Sequence, residues 1–421
     1  MSVELLMGGG SFRHSASATP RRIRLVDCQA LAERGVLRRA TLCIIEFPEI
    51  PHLSYTTISY PWRGVTVDST FTGPRFRVDG APDADPIRVD ILKQACTASL
   101  IRGMRYLWVD TLCIIQTSVE DKIWQIKLMY RVYRSCALCI VVPGGLQRLV
   151  TLDEETPWIH RSWTLQEAIA PPEVVVLFAW KLGRAGGGSM ASGTDAGNVQ
   201  EVVPGECAIA PLSMILNASA EGFLAVRPAS REDAPSLLLT CCIFGAEPLL
   251  APNVVALAMA MDTNLGEPEI RAHAAWQSAL MRTSFRPVDM ILSIMGVFGV
   301  SLDPAAFHMD DRRGAAIALA QEILKRGGRA SWLGAACGVP PEKTLSTFPS
   351  FPRNTVNGAA SIDVKGVAYK VPDLVDTARY SLDHVGLGFI PKGSMDDAGY
   401  LTFSTRAIPL QYVAERIDEN P

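Results

Sequence analysis

The segment YLWVDTLCIIQTSVEDKIWQIKLMYRVYRSCALCIVV, Tyr106–Val142, decides the fold that the sequence predicts. YLWVDTLCII is an almost unbroken apolar run of strand length, interrupted by Asp110, as is typical of a strand buried on both faces. The middle of the segment predicts a helix, because Ser118 and Asp121 form a capping pattern at its start. ALCIVV is a second buried strand, so the segment predicts two parallel strands joined by a crossover helix. The predicted buried stripe of the helix consists of Ile123, Ile126, Tyr130 and Tyr133.

The same alternation continues in both directions along the chain. Upstream, YTTISYPW is β-branched and aromatic, and IRVDILKQACTASLIRG has apolar residues at helical spacing before Gly103. Downstream, RSWTLQEAIA predicts a short helix and EVVVLF a further strand. Four strands that alternate with three helices predict an α/β domain with three layers and a mainly parallel sheet.

Composition divides the chain into further regions. Residues 1–22 are rich in Gly, Ser and Arg and are predicted to be disordered, and residues 23–180 hold the α/β domain. Residues 181–200 are predicted to be a Gly- and Ser-rich linker. Residues 201–335 are predicted to be mostly helical, and residues 336–421 to form a mixed carboxyl-terminal tail that contains strands.

Charge and hydropathy exclude several classes of protein. The formal net charge of −3 leaves no basic surplus to neutralise a phosphate backbone, so nucleic acid is not a predicted partner. The most apolar run, MILSIMGVFGVSL, is shorter than the roughly 20 residues that a membrane-spanning helix needs. The amino terminus lacks the pattern of a secretory signal, and the ten cysteines show no paired framework. The sequence therefore predicts a cytoplasmic protein with reduced cysteines and no membrane span.

Four blocks of the sequence carry a resemblance to a known family. YTTISYPW, YLWVDTLCIIQ, MYRVYRSCALCIVV and WIHRSWTLQEA resemble, in this order and spacing, the blocks of the fungal heterokaryon incompatibility (HET) domain, over about Tyr55–Phe178. RPVDMILSIMGVFGV and GGRASWLG resemble segments that follow this domain in such fungal proteins. Two positions depart from the family pattern. Arg63 stands between Trp62 and Gly64, where the family usually has glycine at once, and Thr117 stands where the family often has an acidic residue. Any role that needs a carboxylate at position 117 is left open.

The resemblance implies a fungal protein of self/non-self recognition that triggers cell death. The HET domain is distantly similar to the Toll/interleukin-1 receptor (TIR) domain, a flavodoxin-like fold that in some proteins cleaves NAD with a glutamate in a Trp-x-x-x-Glu helix. WTLQE, Trp163–Glu167, has that spacing. The resemblance thus implies that Glu167 is catalytic and that NAD is a substrate rather than a cofactor. CALC has no second cysteine pair at zinc spacing, so no metal is predicted either.

The residue types fit this chemistry. Cleavage between nicotinamide and ribose develops positive charge on the sugar, which a nearby carboxylate stabilises. Glu167 lies one helical turn after Trp163, so both side chains project to the same side and the indole would wall the ribose or nicotinamide. Other candidate ligand contacts follow the strand ends, where open α/β sheets bind ligands, or carry a guanidinium that suits phosphate. These residues are Ser59, Tyr60, Trp62, Asp110, Gln116 and Arg161.

Each candidate residue also has a structural interpretation. Trp163 fits a core anchor, Glu167 can pair with Arg161 or Arg105, and Asp110 can fix a loop. Three functions therefore remain open: a death effector that cleaves NAD once it is assembled, a non-catalytic adaptor that self-associates, and a metabolic enzyme on the same fold. The expected partners are a second copy of the chain or an incompatibility partner protein.

Overall fold

The computed structural model describes residues 9–14, 18–32, 41–63, 73–188, 197–228, 236–245, 252–264, 268–336, 338–355, 358–375 and 390–404. The strands are β1 Ser11–Phe12, β2 Ile23–Asp27, β3 Ile44–Phe47, β4 Tyr55–Ser59, β5 Arg75–Val78, β6 Ile87–Arg88, β7 Tyr106–Trp108, β8 Leu138–Val141, β9 Val174–Ala179, β10 Ala185–Gly188, β11 Gly197–Val203, β12 Cys207–Pro211, β13 Phe223–Pro228, β14 Leu237–Thr240, β15 Pro341–Glu342, β16 Leu345–Pro349, β17 Ser361–Val364, β18 Val367–Lys370, β19 Gly393–Met395 and β20 Leu401–Phe403. The α-helices are α1 Cys28–Ala32, α2 Val89–Ile101, α3 Asp110–Cys113, α4 Val119–Ser135, α5 Trp163–Ile169, α6 Leu212–Glu221, α7 Pro252–Met261, α8 Pro268–Leu280, α9 Asp289–Leu292 and α10 Arg312–Lys325.

A mixed sheet of eleven strands organises the chain. Its order is β14-β13-β10-β11-β12-β9-β8-β4-β7-β2-β3. The four central strands, β9, β8, β4 and β7, are parallel, whereas the strands on both flanks pair antiparallel. The predicted α/β class is confirmed. The predicted mainly parallel sheet is right only for the centre, because short hairpins rather than crossover helices connect several of the flanking strands.

Helices cover both faces of the central strands. Side chains alternate between the two faces along a strand, so Tyr55 and Thr56 of β4 point in opposite directions. The Tyr55 hydroxyl donates to the carbonyl of Val132 in α4, and the Thr56 hydroxyl is hydrogen-bonded to Ser99 in α2. Helices α4 and α2 therefore lie on opposite faces, as the three-layer prediction requires.

Helix α4 begins where the sequence predicts but buries a different face. The Ser118 side chain accepts a hydrogen bond from the Asp121 amide, which confirms the predicted cap. Of the predicted buried stripe only Tyr133 is buried, whereas Ile123, Ile126 and Tyr130 are partly exposed. The residues that the helix buries are Asp121, Gln125, Met129, Val132 and Tyr133. The hydropathy pattern was misleading because two of the inward-facing residues are polar.

The predicted strand YLWVDTLCII is also shorter than expected. Strand β7 ends at Trp108, and the chain then forms the single helical turn α3. The Cys113 amide donates to the Val109 carbonyl at 2.7 Å, which closes this turn. The apolar residues after Asp110 are buried because the turn packs into the core. An unbroken apolar run, in which polar and apolar residues do not alternate, does not distinguish such a buried turn from a strand.

Three other predicted segments contain strands that the sequence did not suggest. Within 1–22, β1 pairs with β5, and residues 1–8 and 15–17 lie outside the described residues. Within the predicted linker, β10 and β11 pair with each other, and residues 189–196 lie outside the described residues. Strands β12 to β14 occupy part of the region predicted to be mostly helical. The domain limits themselves stay predictions.

The carboxyl-terminal region contains three two-stranded hairpins, formed by β15 with β16, β17 with β18, and β19 with β20. In the part of the chain that the structure describes, every helix is too short or too polar to cross a bilayer. The cysteines among the described residues are all free thiols. The predicted cytoplasmic location stays a prediction.

A buried ion pair ties the first strands of the sheet to helix α4. Arg24 is fully buried and donates from Nε to Glu46 at 2.8 Å and from Nη1 to Asp121 at 3.0 Å. Asp121 is also fully buried and accepts from the Ile115 amide at 2.8 Å. Because each charge has a partner and further hydrogen bonds, the pair tolerates its loss of hydration.

We expect Asp121→Asn to lower the free energy of unfolding by about 3 kcal/mol, because it leaves the buried Arg24 guanidinium with only the partly exposed Glu46 as a counter-charge. The matched control is Lys127→Ala on the same helix, which removes an ion pair with Asp303 that is partly exposed to solvent. Such a pair contributes about 0–1 kcal/mol. The measurement is urea denaturation followed by fluorescence, and equal midpoints for the two variants would contradict the prediction.

Candidate functional site

A cleft opens at the carboxyl ends of the parallel strands β4 and β7. Its cavity volume is about 400 Å³, within the range of small-molecule sites. The predicted site residues that line it are Tyr60, Trp62, Asp110, Gln116, Arg161, Trp163 and Glu167. Ser59 is the last residue of β4 and does not line the cleft itself, but its side chain is hydrogen-bonded to Glu167, which does. The structure therefore brings all of the predicted candidates together, although their roles stay predictions.

Glu167 projects from helix α5 and is held by hydrogen bonds from the sheet. The Ser59 hydroxyl donates to Oε2 of Glu167 at 2.5 Å, and the Trp158 indole N–H donates to the same Ser59 oxygen at 2.8 Å. The Tyr133 hydroxyl is also hydrogen-bonded to the Glu167 carboxyl. Burial, and secondly the charge of Asp110, raise the pKa of Glu167 to about 8. The carboxyl is therefore mostly protonated at neutral pH.

The hydrogen bonds of this network do not explain the raised pKa. The Tyr133 hydroxyl donates to the Ile58 carbonyl at 2.9 Å, and Ser59 donates its one proton to Glu167 while its oxygen accepts from Trp158. The contacts of Ser59 and Tyr133 with Glu167 oppose the rise in the pKa of the carboxyl. Burial and the charge of Asp110 are therefore what keep it protonated.

Asp110 organises the opposite wall of the cleft. Its carboxylate accepts from the Tyr60 hydroxyl at 2.7 Å and from the Trp62 indole N–H, and its backbone carbonyl accepts from the Gln116 amide at 3.0 Å. Burial raises the pKa of Asp110 to about 6, and the bonds from Tyr60 and Trp62 oppose that rise. Asp110 thus fixes the positions of Tyr60, Trp62 and Gln116, in agreement with its structural interpretation, and it still faces the cleft.

A tight turn at Gly80–Asp83 closes the side of the cleft next to Gln116. Gly80 has a φ of +80°, and a Cβ at this position would lie 2.5 Å from the carbonyl carbon of Gln116. Both the left-handed backbone and the close approach require glycine. The turn consequently presents Ala81, Pro82 and Asp83 to the cavity.

The third wall comes from a segment that the sequence analysis did not assign to the site. Residues 283–286 run beside residues 160–162, because the Ser162 amide donates to the Thr283 carbonyl at 2.9 Å and the Thr283 amide donates to the His160 carbonyl at 2.7 Å. This pairing brings Phe285, Arg286 and Asp289 to the cleft. The only signal in the sequence is a charged start to the apolar segment RPVDMIL.

Asp289 lies against the predicted aromatic wall. It is hydrogen-bonded to the Trp163 indole, and burial raises the pKa of Asp289 to about 6. Trp163 therefore has a polar partner as well as a packing role, which neither interpretation of the sequence had included. In the described part of the chain, no His, Cys, Asp and Glu side chains are grouped as metal ligands would be.

Of the two predicted partners of Glu167, Arg105 pairs instead with Asp27 at 2.7 Å. Arg161 does interact with Glu167, because the charge of the carboxyl raises the pKa of Arg161. The buried cation near Glu167 is Arg282, which donates to Thr164 at 2.7 Å and to the Arg161 carbonyl at 3.0 Å. Burial lowers the pKa of Arg282 to about 9, and its charge opposes the rise in the pKa of Glu167.

Comparisons with known proteins agree with the resemblance in part of this region. The family model described as "Heterokaryon incompatibility protein (HET)" matches residues 55–150. The chain is 33% identical over 82 residues to vegetative incompatibility protein HET-E-1 from Podospora anserina, a match that covers 17% of this chain and 6% of that protein. No solved structure matches the chain. The predicted resemblance to the HET family is confirmed, and Trp163 and Glu167 lie beyond the matched residues.

We expect the stability of the protein to depend on pH through Glu167. Its pKa is 4.5 when unperturbed and about 8 in the folded protein, so between these values the unfolded chain loses a proton that the folded protein keeps. Stability must then fall as the pH rises from 4.5 to about 8. Glu167→Gln removes this dependence.

The measurement is the free energy of unfolding of the wild type and of Glu167→Gln at several pH values. The difference, variant minus wild type, should increase from pH 4.5 to about 8 and then stay level. A difference that does not change across this window would show that Glu167 titrates normally.

Proposed function

We propose that this chain acts in fungal heterokaryon incompatibility, as a cytoplasmic cell-death effector whose HET domain cleaves NAD at Glu167. The observation that carries the proposal is a buried glutamate with a raised pKa on the floor of the cleft, beside the indole of Trp163. Strongly perturbed carboxyls in clefts are typical of functional sites. The match of residues 55–150 to the HET family supports the biological part of the proposal.

The order of the central strands supports a TIR-like, flavodoxin-like domain. In chain order the parallel strands are β4, β7, β8 and β9, and in the sheet β4 lies between β7 and β8. This is the arrangement 2-1-3-4 of flavodoxin-like sheets, in which ligands bind where the strand order reverses. Ser59 ends β4, one of the two strands at that point, and holds Glu167. The other strand-end residues that line the cleft follow β7 rather than β8, so the cleft overlaps this position from one side.

The chemistry requires a carboxylate near the sugar. When the bond between nicotinamide and ribose breaks, nicotinamide leaves with the bonding electron pair, and the ribose carbon becomes positively charged. The positive charge of the bound nicotinamide ring and of the sugar favours ionised Glu167, which then stabilises the developing charge. A water molecule adds to the sugar and gives up a proton, which leaves ADP-ribose as the second product. Ser59 keeps the carboxyl oriented throughout.

Trp163 and Asp289 have a positioning role in this proposal. The Trp163 indole is fixed by its hydrogen bond to Asp289, so one ring face is held as a wall of the cleft. A fixed aromatic wall restricts the ribose or nicotinamide to one orientation and excludes water from that side. Tyr60 and Trp62, which are held by Asp110, bound the opposite side.

We expect Glu167→Gln to reduce NAD cleavage by about 10²–10³-fold, because the amide cannot supply the negative charge that stabilises the sugar. The matched control is Glu173→Gln, an exposed glutamate that is paired with Arg102 on the surface. Nicotinamide release is measured by chromatography over a concentration series, with circular dichroism to confirm folding. The proposal fails if the folded wild type and Glu167→Gln release nicotinamide at the same rate.

A specific feature of the sheet favours self-association as a second candidate function. Strand β14 is at the end of the sheet, and no described strand pairs with its outer side. Leu237 and Leu238 on this strand are 44% and 60% exposed. An apolar edge strand with unpaired backbone groups is suited to pairing with another strand, and the same strand of a second copy offers the same groups. This function would not need Glu167.

If self-association uses β14, Leu238→Lys should weaken it at least about tenfold, since two like charges would oppose each other across the interface. Sedimentation velocity over a range of concentrations gives the affinity. Tyr400→Lys is the control, because Tyr400 is 74% exposed in another part of the chain. Equal weakening by both substitutions, or no association in the wild type, would rule out this use of β14.

A further inference from the structure

Four basic side chains surround the mouth of the cleft. They are Arg63 after β4, Lys122 in α4, Arg161 before α5 and Arg286 in the segment that runs beside it, and we call them the cationic rim. The acidic side chains Asp83, Asp110, Glu167 and Asp289 line the same cavity. Its lining therefore contains both basic groups and carboxyls, and burial raises the pKa values of Asp110, Glu167 and Asp289.

The rim holds like charges close to one another. Burial and then the charge of Arg286 lower the pKa of Lys122, and burial and then the charge of Arg63 lower the pKa of Arg161. Asp289 attracts both Arg161 and Arg286, so a single carboxyl offsets part of the repulsion for two of these cations. Four cations around one cavity suit an anionic ligand with more than one charge.

The partners of Lys122, Arg63 and Arg286 leave room for such a ligand. The Lys122 ammonium is 3.4 Å from the Gly80 carbonyl, and among the described residues neither Lys122 nor Arg286 has a carboxylate within ion-pair distance. Arg63 is 3.3 Å from Asp83, whose side chain is 58% exposed. An ion pair so exposed to water is weak and can be exchanged for a phosphate.

An aromatic ring lies next to the rim. Phe285 lines the cleft and is 47% exposed, and the guanidinium of Arg63 lies 4.4 Å from the centre of its ring. A large exposed aromatic residue at the mouth of a cleft offers a flat face for a nucleobase. Arg63 covers one face of the Phe285 ring, so a base would stack on the other face.

We propose that the cationic rim binds the diphosphate of a dinucleotide and that Phe285 stacks on its distal base, so that residues 285 and 286 make the site selective for a dinucleotide over a nucleoside. This inference rests on the proposed NAD cleavage for the identity of the ligand. The arrangement of the cleft fits such a ligand, because a sugar beside Glu167 and Trp163 at the floor would direct the attached diphosphate toward the cationic rim. Arg63 and Lys122 lie within residues 55–150, whereas Phe285 and Arg286 lie outside them.

The first test is binding of ADP-ribose to the full chain by isothermal titration calorimetry, because this ligand carries the diphosphate and the base but no bond to be cleaved. The variant is Lys122→Gln with Arg286→Gln, and its matched control is Lys325→Gln with Arg326→Gln, an equal charge change on the exposed end of α10. We expect the rim variant to raise Kd at least about tenfold and the control to change it less than about twofold. Absence of ADP-ribose binding to the wild type overturns the inference.

The second test separates the rim from the aromatic ring. Phe285→Leu should weaken binding of ADP-ribose about tenfold, but leave the binding of inorganic pyrophosphate to the rim unchanged. Equal binding of ADP-ribose to Phe285→Leu and the wild type would remove Phe285 from the site. Arg286 is exposed, so Arg286→Gln alone is used if the double variant does not fold.

The two proposals can fail separately. NAD cleavage with the same KM in the wild type and in the rim variant would overturn the inference and leave the proposed function intact. Binding of ADP-ribose that depends on the rim, without any NAD cleavage, would support the inference and reject the proposed function. The rim variant should also raise KM for NAD more than KM for nicotinamide riboside, which lacks the diphosphate.

Discussion

The hydrogen bond from Ser59 to Glu167 is the contact on which the cleft depends. It joins the end of the central strand β4 to helix α5, and it lies on the face of the sheet that Tyr55 shares with helix α4. Because the carboxyl is buried, it must either stay protonated or be paired, and Ser59 and Tyr133 stabilise it without a formal counter-charge. The fold thus keeps an acid neutral at the floor of a cleft whose lining also includes several charged side chains.

The burial that makes the neutral form of Glu167 the stable one also disfavours the carboxylate that the proposed reaction needs. Ionisation of Glu167 is disfavoured by burial and by the nearby charge of Asp110, and it is favoured by the contacts with Ser59 and Tyr133 and then by the buried Arg282. A ligand that brings positive charge to the floor of the cleft would lower that penalty, so under the proposed function the carboxylate forms mainly when the ligand is bound. The burial that raises the pKa of Glu167 would then make its ionisation depend on the ligand.

The parts that the sequence predicted are those governed by local rules. The parallel centre of the sheet followed from apolar runs that alternate with helices, and Tyr60, Asp110 and Gln116 meet because the ends of parallel strands share one edge of a sheet. The inward face of α4 was predicted wrongly, because Asp121 is buried opposite Arg24 and no hydropathy pattern reveals a buried ion pair. The segment with Phe285 and Arg286 was missed since only the backbone pairing of Ser162 with Thr283 brings it to the cleft.

The cleft is consequently built from two parts of the chain, one within the residues that match the HET family and one beyond them. Tyr60, Trp62, Asp110 and Gln116 lie within the residues that match the HET family, whereas Glu167, Arg286 and Asp289 lie beyond them. Substitutions at the exposed positions 285 and 286 do not disturb the buried network around Glu167, because their side chains face the mouth of the cleft rather than its floor. Ligand preference can therefore change through this segment while the strand ends and Glu167 stay as they are.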